Sequence, residues 1–178
     1  LERFAESDIL YPESAIQERV ADIAGQISED YRDCNPVLIS VLRGGTVFLA
    51  DLMRALDTPH AIDFIATYRP VFDPAASVHP PVKILADVRI PLEGRDVIVV
   101  EGIVGTGYTL RYVLNYLELS HPRSVSIATM FNRRVERKFY FPIRYSGFQL
   151  ADEYVVGYGL DHGQKFRNLP FVARWSKE

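Results

Sequence analysis

Two short stretches, residues 37–42 (VLISVL) and residues 97–100 (VIVV), are apolar at nearly every position. A strand with one wet face alternates apolar and polar residues. A strand apolar throughout is covered on both faces, as in a parallel sheet. Parallel strands need crossover connections, and helical patterns lie between the apolar runs. In residues 14–30, Ile16, Val20, Ile23 and Ile27 share one helical face, and Ser14 with Gln17 three residues on predicts a capping box. Residues 46–56 and 108–118 predict two more helices; residues 61–67, 124–130, 144–148 and 154–158 predict strands, and the tail from Asp161 reads as irregular. The alternation gives an α/β class with a mainly parallel, twisted sheet flanked by helices. A length of 178 residues suits a single domain over 1–178.

Composition narrows the function classes. Hydrophobic residues make up 48% and charged ones 24%, which excludes disorder; one cysteine and four scattered histidines exclude a disulfide scaffold and a zinc-finger-like site. A net charge of −3 argues against wholesale coating of nucleic acid. No apolar run reaches the roughly 20 residues that span a bilayer. The first residues form no apolar signal core, so a soluble cytoplasmic protein without a membrane partner is expected. Residues 69–82, with Pro70, Pro74, Pro80 and Pro81, predict a long loop of the kind that forms lids.

In parallel sheets, ligands sit beyond the carboxyl ends of the strands. After the VIVV run the chain reads Glu101-Gly102-Ile103-Val104-Gly105-Thr106-Gly107-Tyr108-Thr109-Leu110. Glycines let backbone N–H groups converge, a helix N-terminus adds partial positive charge, and Thr106 and Thr109 add hydroxyls. The pattern reads as a cradle for a phosphate monoester, formed by Gly105, Thr106, Gly107, Tyr108 and Thr109. It is neither a lysine-bearing P-loop nor a dinucleotide fingerprint. A tight strand-to-helix turn that needs glycine for geometry alone is the alternative.

The segment resembles the PRPP-binding motif of type I phosphoribosyltransferases. Leu42-Arg43-Gly44-Gly45 resembles the pyrophosphate loop of hypoxanthine-guanine phosphoribosyltransferases. Asp51 to Leu56, Asp63 to Ala66, Tyr154 to Asp161 and Lys165 to Pro170 follow the bacterial members of that family. The resemblance covers residues 14 to 172. It implies a small hood built from the termini and transfer of a phosphoribosyl group from PRPP to a purine, with Mg2+ holding the released pyrophosphate. By the same resemblance Leu42, Arg43 and Gly44 meet pyrophosphate, and so does Arg167. Glu101 reaches the ribose hydroxyls, Tyr154 stacks on the purine and Val155 reads its edge. Asp161 borders the base and, with Glu101, serves the Mg2+. Homodimers or homotetramers are implied. Taken singly, Tyr154 and Val155 read as strand core, and Asp161 with Arg167 as a surface ion pair.

Several positions depart from the family pattern. Gly102 stands where a second acid is usual, and Gly105 stands where the usual base-side aspartate would be; glycine cannot transfer a proton. The family lysine that meets the 6-oxo group is matched to Pro142, with Lys138 as a substitute. Thr67-Tyr68-Arg69-Pro70 replaces the usual lid sequence. Losing two carboxylates spares the phosphate cradle while removing groups that catalysis uses. An enzyme of weakened activity is therefore expected, and a non-catalytic PRPP or nucleotide sensor is the alternative.

Asn132 to Lys138 carries four basic residues and one acid. It reads as a solvated turn, with RNA contact as the less favoured option. Tyr108, Tyr112 and Tyr116 lie at i, i+4 and i+8 and read as core or as an interface between copies.

Overall fold

The protein is described by a computed structural model over residues 4–68, 82–135 and 139–176. In chain order it contains β1 (Ile9–Tyr11), α1 (Glu13–Asp30), β2 (Val37–Leu42), α2 (Thr46–Ala55), β3 (Ala61–Tyr68) and β4 (Lys83–Ala86). These are followed by β5 (Asp96–Val104), α3 (Tyr108–Glu118), β6 (Ser124–Arg133), β7 (Tyr145–Leu150), β8 (Val155–Val156) and β9 (Val172–Arg174).

Six strands form one sheet in the order β4-β3-β2-β5-β6-β7. All neighbours are parallel except β4, which closes one edge antiparallel to β3. β1, β9 and β8 form a separate three-stranded antiparallel sheet, which is the expected hood. No described helix is long and apolar enough to cross a membrane.

The apolar runs are covered on both faces. Leu38, Ile98 and Val100 pack with Ile16, Ile23 and Ile27 of α1 and with Phe48 and Leu52 of α2. Ile39, Val41, Val97 and Val99 pack with Leu110, Val113, Leu114 and Leu117 of α3. Each such side chain contributes about 1.5–3 kcal/mol when fully buried, so the central strands anchor the fold.

The chain leaves β2 toward one sheet edge and β5 toward the other. The order therefore reverses between β2 and β5, which opens a crevice at their carboxyl ends. Register aligns the exits, with Leu42 opposite Ala66, Val104 opposite Asn132 and Arg133 opposite Leu150.

Several expectations are corrected. Pro12 is the N-cap of α1, so Ser14 lies inside the first turn and no side-chain cap forms. The strand expected over 154–158 stops at Val156, because Gly157, Tyr158 and Gly159 have φ of 103°, 48° and 88°. The tail contains β9 rather than being irregular throughout. The Tyr108, Tyr112 and Tyr116 stripe is not core: Leu110, Val113, Leu114 and Leu117 carry the buried face, Tyr112 is exposed, and the Tyr116 hydroxyl donates to Asp87 at 2.6 Å. The proline-rich stretch 69–81 and residues 136–138 lie outside the described residues.

Candidate active site

The turn after β5 and the first turn of α3 line a cavity of about 340 Å³. Gly105, Thr106, Gly107, Tyr108 and Thr109 all face it, as the motif predicts, and Glu101 forms its inner wall. Gly107 is the α3 N-cap with φ 87°, and a β-carbon there would lie 2.7 Å from the Phe141 ring. Glycine is thus required both by conformation and by the close approach of Phe141. Helix first-turn N–H groups lack intrahelical acceptors, so this end of α3 suits a phosphate.

A second cavity, of about 390 Å³, is lined by Arg43, Gly44, Tyr154, Val155, Asp161 and Arg167. Ile103 and Arg133 line both cavities and join them into one elongated site. Tyr154 is half-exposed; its hydroxyl donates to the Asp161 carbonyl at 3.1 Å and its ring meets His162 edge-on at 5.6 Å. Val155 is 7% exposed and is one of the residues lining this cavity. Arg167 pairs with Asp161 at 2.8 Å and donates to the Gly159 carbonyl at 2.7 Å. Leu42 is not among the lining residues, and the Leu42–Arg43 peptide is cis.

Burial without compensation pushes the Glu101 carboxyl up to about 8. Among the described residues Glu101 has no hydrogen-bond or ion-pair partner. Asp161 is engaged by Arg167 and by the Gln164 N–H at 2.9 Å. Glu101 and Asp161 lie on different cavities of the site, and the described residues contain no cluster of three metal-ligating side chains. The donor set thus fits a Mg2+ held mainly by water and phosphate oxygens, not an all-protein cage.

The motif glycines differ from one another. At Gly105 a β-carbon would meet nothing within 4 Å. At Gly102 it would lie 2.4 Å from the Gly44 carbonyl oxygen. Neither has positive φ, so turn conformation is not what selects glycine there.

Sequence reasoning found only Lys138 as a substitute for the family lysine and did not single out Arg133 as a site residue. Pro142 lines neither cavity; Arg133, at the end of β6, lines both. This also corrects the solvated-turn reading for that residue. Arg133 pairs with Asp152 at 2.7 Å, and its buried Nε has no acceptor among the described residues. The strand register was the missing signal, because Asn132 pairs with Val104 and sets Arg133 beside the glycine turn. Ile103, Leu160 and Glu153 also line the second cavity without having been singled out in sequence.

A family model for the phosphoribosyl transferase domain matches residues 6–162. The chain belongs to the phosphoribosyltransferase family. This phosphoribosyltransferase is 37% identical over 169 residues to the hypoxanthine phosphoribosyltransferase of Salmonella typhimurium, covering 94% of each chain. It is 36% identical over 170 residues to the hypoxanthine-guanine phosphoribosyltransferase of Streptococcus pyogenes, covering 96% of this chain and 93% of that one. Its structure resembles the Bacillus anthracis hypoxanthine-guanine phosphoribosyltransferase at a TM-score of 0.84, with 36% identity and coverage of 94% and 96%. It also resembles the hypoxanthine phosphoribosyltransferase of Trypanosoma cruzi at a TM-score of 0.88, with 31% identity and coverage of 98% and 93%. Among phosphoribosyltransferases it is thus similar to the hypoxanthine-guanine type.

Proposed function

We propose that the protein transfers the phosphoribosyl group of PRPP to a 6-oxopurine, hypoxanthine or guanine, at a rate lowered by the glycine at position 105. The observation that carries this reading is the joined pair of cavities. One ends in a helix N-terminus and the other holds an aromatic ring, the first residue of β8 and three arginines. A 5′-phosphate suits the first, and a purine with the leaving pyrophosphate suits the second. In the reaction a purine nitrogen bonds to the ribose anomeric carbon while the bond from that carbon to pyrophosphate breaks and its electron pair leaves with pyrophosphate. The purine nitrogen loses its proton.

The residues divide these tasks. Tyr154 covers the base and the Val155 backbone meets its edge. Arg133 lines both cavities, and its guanidinium suits the exocyclic oxygen and ring nitrogen of a 6-oxopurine, a pair of acceptors that guanidinium matches well. Arg43, the Gly44 backbone and Arg167 face the pyrophosphate. Glu101 accepts from the ribose hydroxyls, and Glu101 and Asp161 would hold the water shell of a Mg2+, which would supply positive charge to the leaving pyrophosphate. Gly105 offers no proton acceptor, so water takes the purine proton at a lower rate. Assembly of identical subunits is supported by Ile62, Phe64 and Leu85, large apolar side chains exposed on β3 and β4.

A second reading, a non-catalytic PRPP or nucleotide sensor, is favoured by the packing of Gly102 against Gly44, which closes the usual place of an acid. Steady-state assays with PRPP, Mg2+ and hypoxanthine or guanine, beside calorimetry with IMP and GMP, separate the two. Measurable turnover below the enzyme median of about 10 per second supports the enzyme. Tight nucleotide binding with no turnover supports the sensor.

A further inference from the structure

Arg43 follows β2 and Arg167 follows β8, 124 residues apart in sequence, yet both guanidinium groups reach one atom. The Gln164 side-chain oxygen accepts from Arg43 Nη1 at 2.9 Å and from Arg167 Nη2 at 3.2 Å. Gln164 is itself fixed, since its backbone N–H donates to Asp161 at 2.9 Å and Asp161 pairs with Arg167. His162 and Lys165 exchange backbone hydrogen bonds around Gly163 and Gln164, whose φ values are 57° and 65°. Two central residues of positive φ are the pattern of a type I′ hairpin turn, which favours glycine or asparagine at both places. Glutamine pays a steric cost there, and residues held in such conformations cluster at functional sites.

From these contacts we infer that Gln164 is a positioning residue for the diphosphate end of the substrate. This rests on the proposed reading of the site. Its amide oxygen is a neutral acceptor. It orients two guanidinium groups toward the same cavity but holds each more weakly than a carboxylate would. Arg43, held by this neutral acceptor, therefore stays exchangeable for charged diphosphate oxygens, while Arg167 also keeps its Asp161 partner, and the cost of ordering both is met before substrate arrives. A carboxylate at this place would compete with the diphosphate for both arginines.

The test measures binding of Mg2+-pyrophosphate and of IMP by calorimetry, with the melting temperature, for wild type, Gln164→Gly and Gln164→Glu. Glycine relieves the turn while removing the acceptor, so its loss of affinity cannot come from misfolding. The expected result is a melting temperature equal to or above wild type for Gln164→Gly. Pyrophosphate affinity falls about tenfold, the worth of one charge-assisted hydrogen bond, with IMP affinity within twofold. Gln164→Glu weakens pyrophosphate at least as much and again spares IMP. Unchanged pyrophosphate affinity in both variants, or equal losses for both ligands, overturns the inference and leaves the reading of the site intact. Wild-type protein that binds neither ligand overturns both.

Discussion

Position 105 has room for a side chain and position 102 has none, although both are glycines in one motif. Gly105→Asp is expected to fold as the wild type does and to raise turnover by roughly 100-fold, the low end of what a positioned proton acceptor contributes. Gly102→Asp would force the Gly44 backbone to move, so it is expected to lower the melting temperature and weaken pyrophosphate binding. A gain of activity from Gly102→Asp, or none from Gly105→Asp, would contradict this assignment, and single-variant kinetics with melting curves decide it. Glu101 makes a different prediction. Its folded-state value of about 8 lies above its ordinary 4.5, so the folded protein is destabilised increasingly as pH rises between those values. Glu101→Gln should therefore melt at the same temperature as wild type below the lower value. It should melt progressively higher across the window and keep a constant advantage above it. Melting curves over that pH range read the difference directly.

At the scale of elements, the chemistry depends on how loops are pinned. β8 ends after two residues where Gly157 takes positive φ, and a β-carbon there would also sit 2.0 Å from the carbonyl oxygen of Phe171, just before β9. The chain then turns through Tyr158 and Gly159 to bring Asp161 and Arg167 back over the cavity. Tyr158 ties this turn to α2: its buried hydroxyl donates to Asp51 at 2.8 Å, and Gln17 of α1 donates to the same carboxylate at 3.2 Å. Burial and the Asp51 carboxylate raise the Tyr158 hydroxyl far above its ordinary range, so it stays a donor at any working pH. Tyr158→Phe is expected to cost about 1.5–3 kcal/mol in denaturant unfolding, as for a lost hydrogen bond to a charged group. Because the tied turn carries Arg167, KM for PRPP should rise more than kcat falls. An unchanged KM would show that the tie serves stability alone.

For the whole molecule, ring contacts in the hood connect Phe4 and Trp175 to the second cavity. Phe4 meets the rings of Phe166, Phe171 and Trp175, and Trp175 stacks on His162 at 4.7 Å. His162 in turn meets Tyr154, the ring that lines the second cavity and that the proposed function places over the base. Trp175 is the single tryptophan of the chain, so intrinsic fluorescence reports on this chain of rings. Purine nucleotide binding is expected to change that fluorescence, and Tyr154→Ala should abolish the change while leaving the folded signal. A nucleotide titration followed at the tryptophan emission maximum checks it; no change in the wild type would detach the hood from base recognition.

The sheet, its three helices and the glycine turn before α3 were legible because they rest on local pattern: unbroken apolar runs, helical spacing, and glycines between a strand and a helix. β1, β4, β8 and β9 run only two to four residues, too short to establish a period, and exist because partners distant in sequence complete them. Resemblance in sequence marked the loss of acids at Gly102 and Gly105 but gave no reason to treat them differently. Only tertiary structure separates them, because the space around a β-carbon is set by the Gly44 loop from another strand. In the same way, Arg133 looked like part of a surface charge run until strand register placed it between two cavities. Local sequence thus determined which segment forms the glycine turn that lines the first cavity. Long-range contacts decided which side chains converge there, since pairing and packing between distant segments set the positions of those atoms.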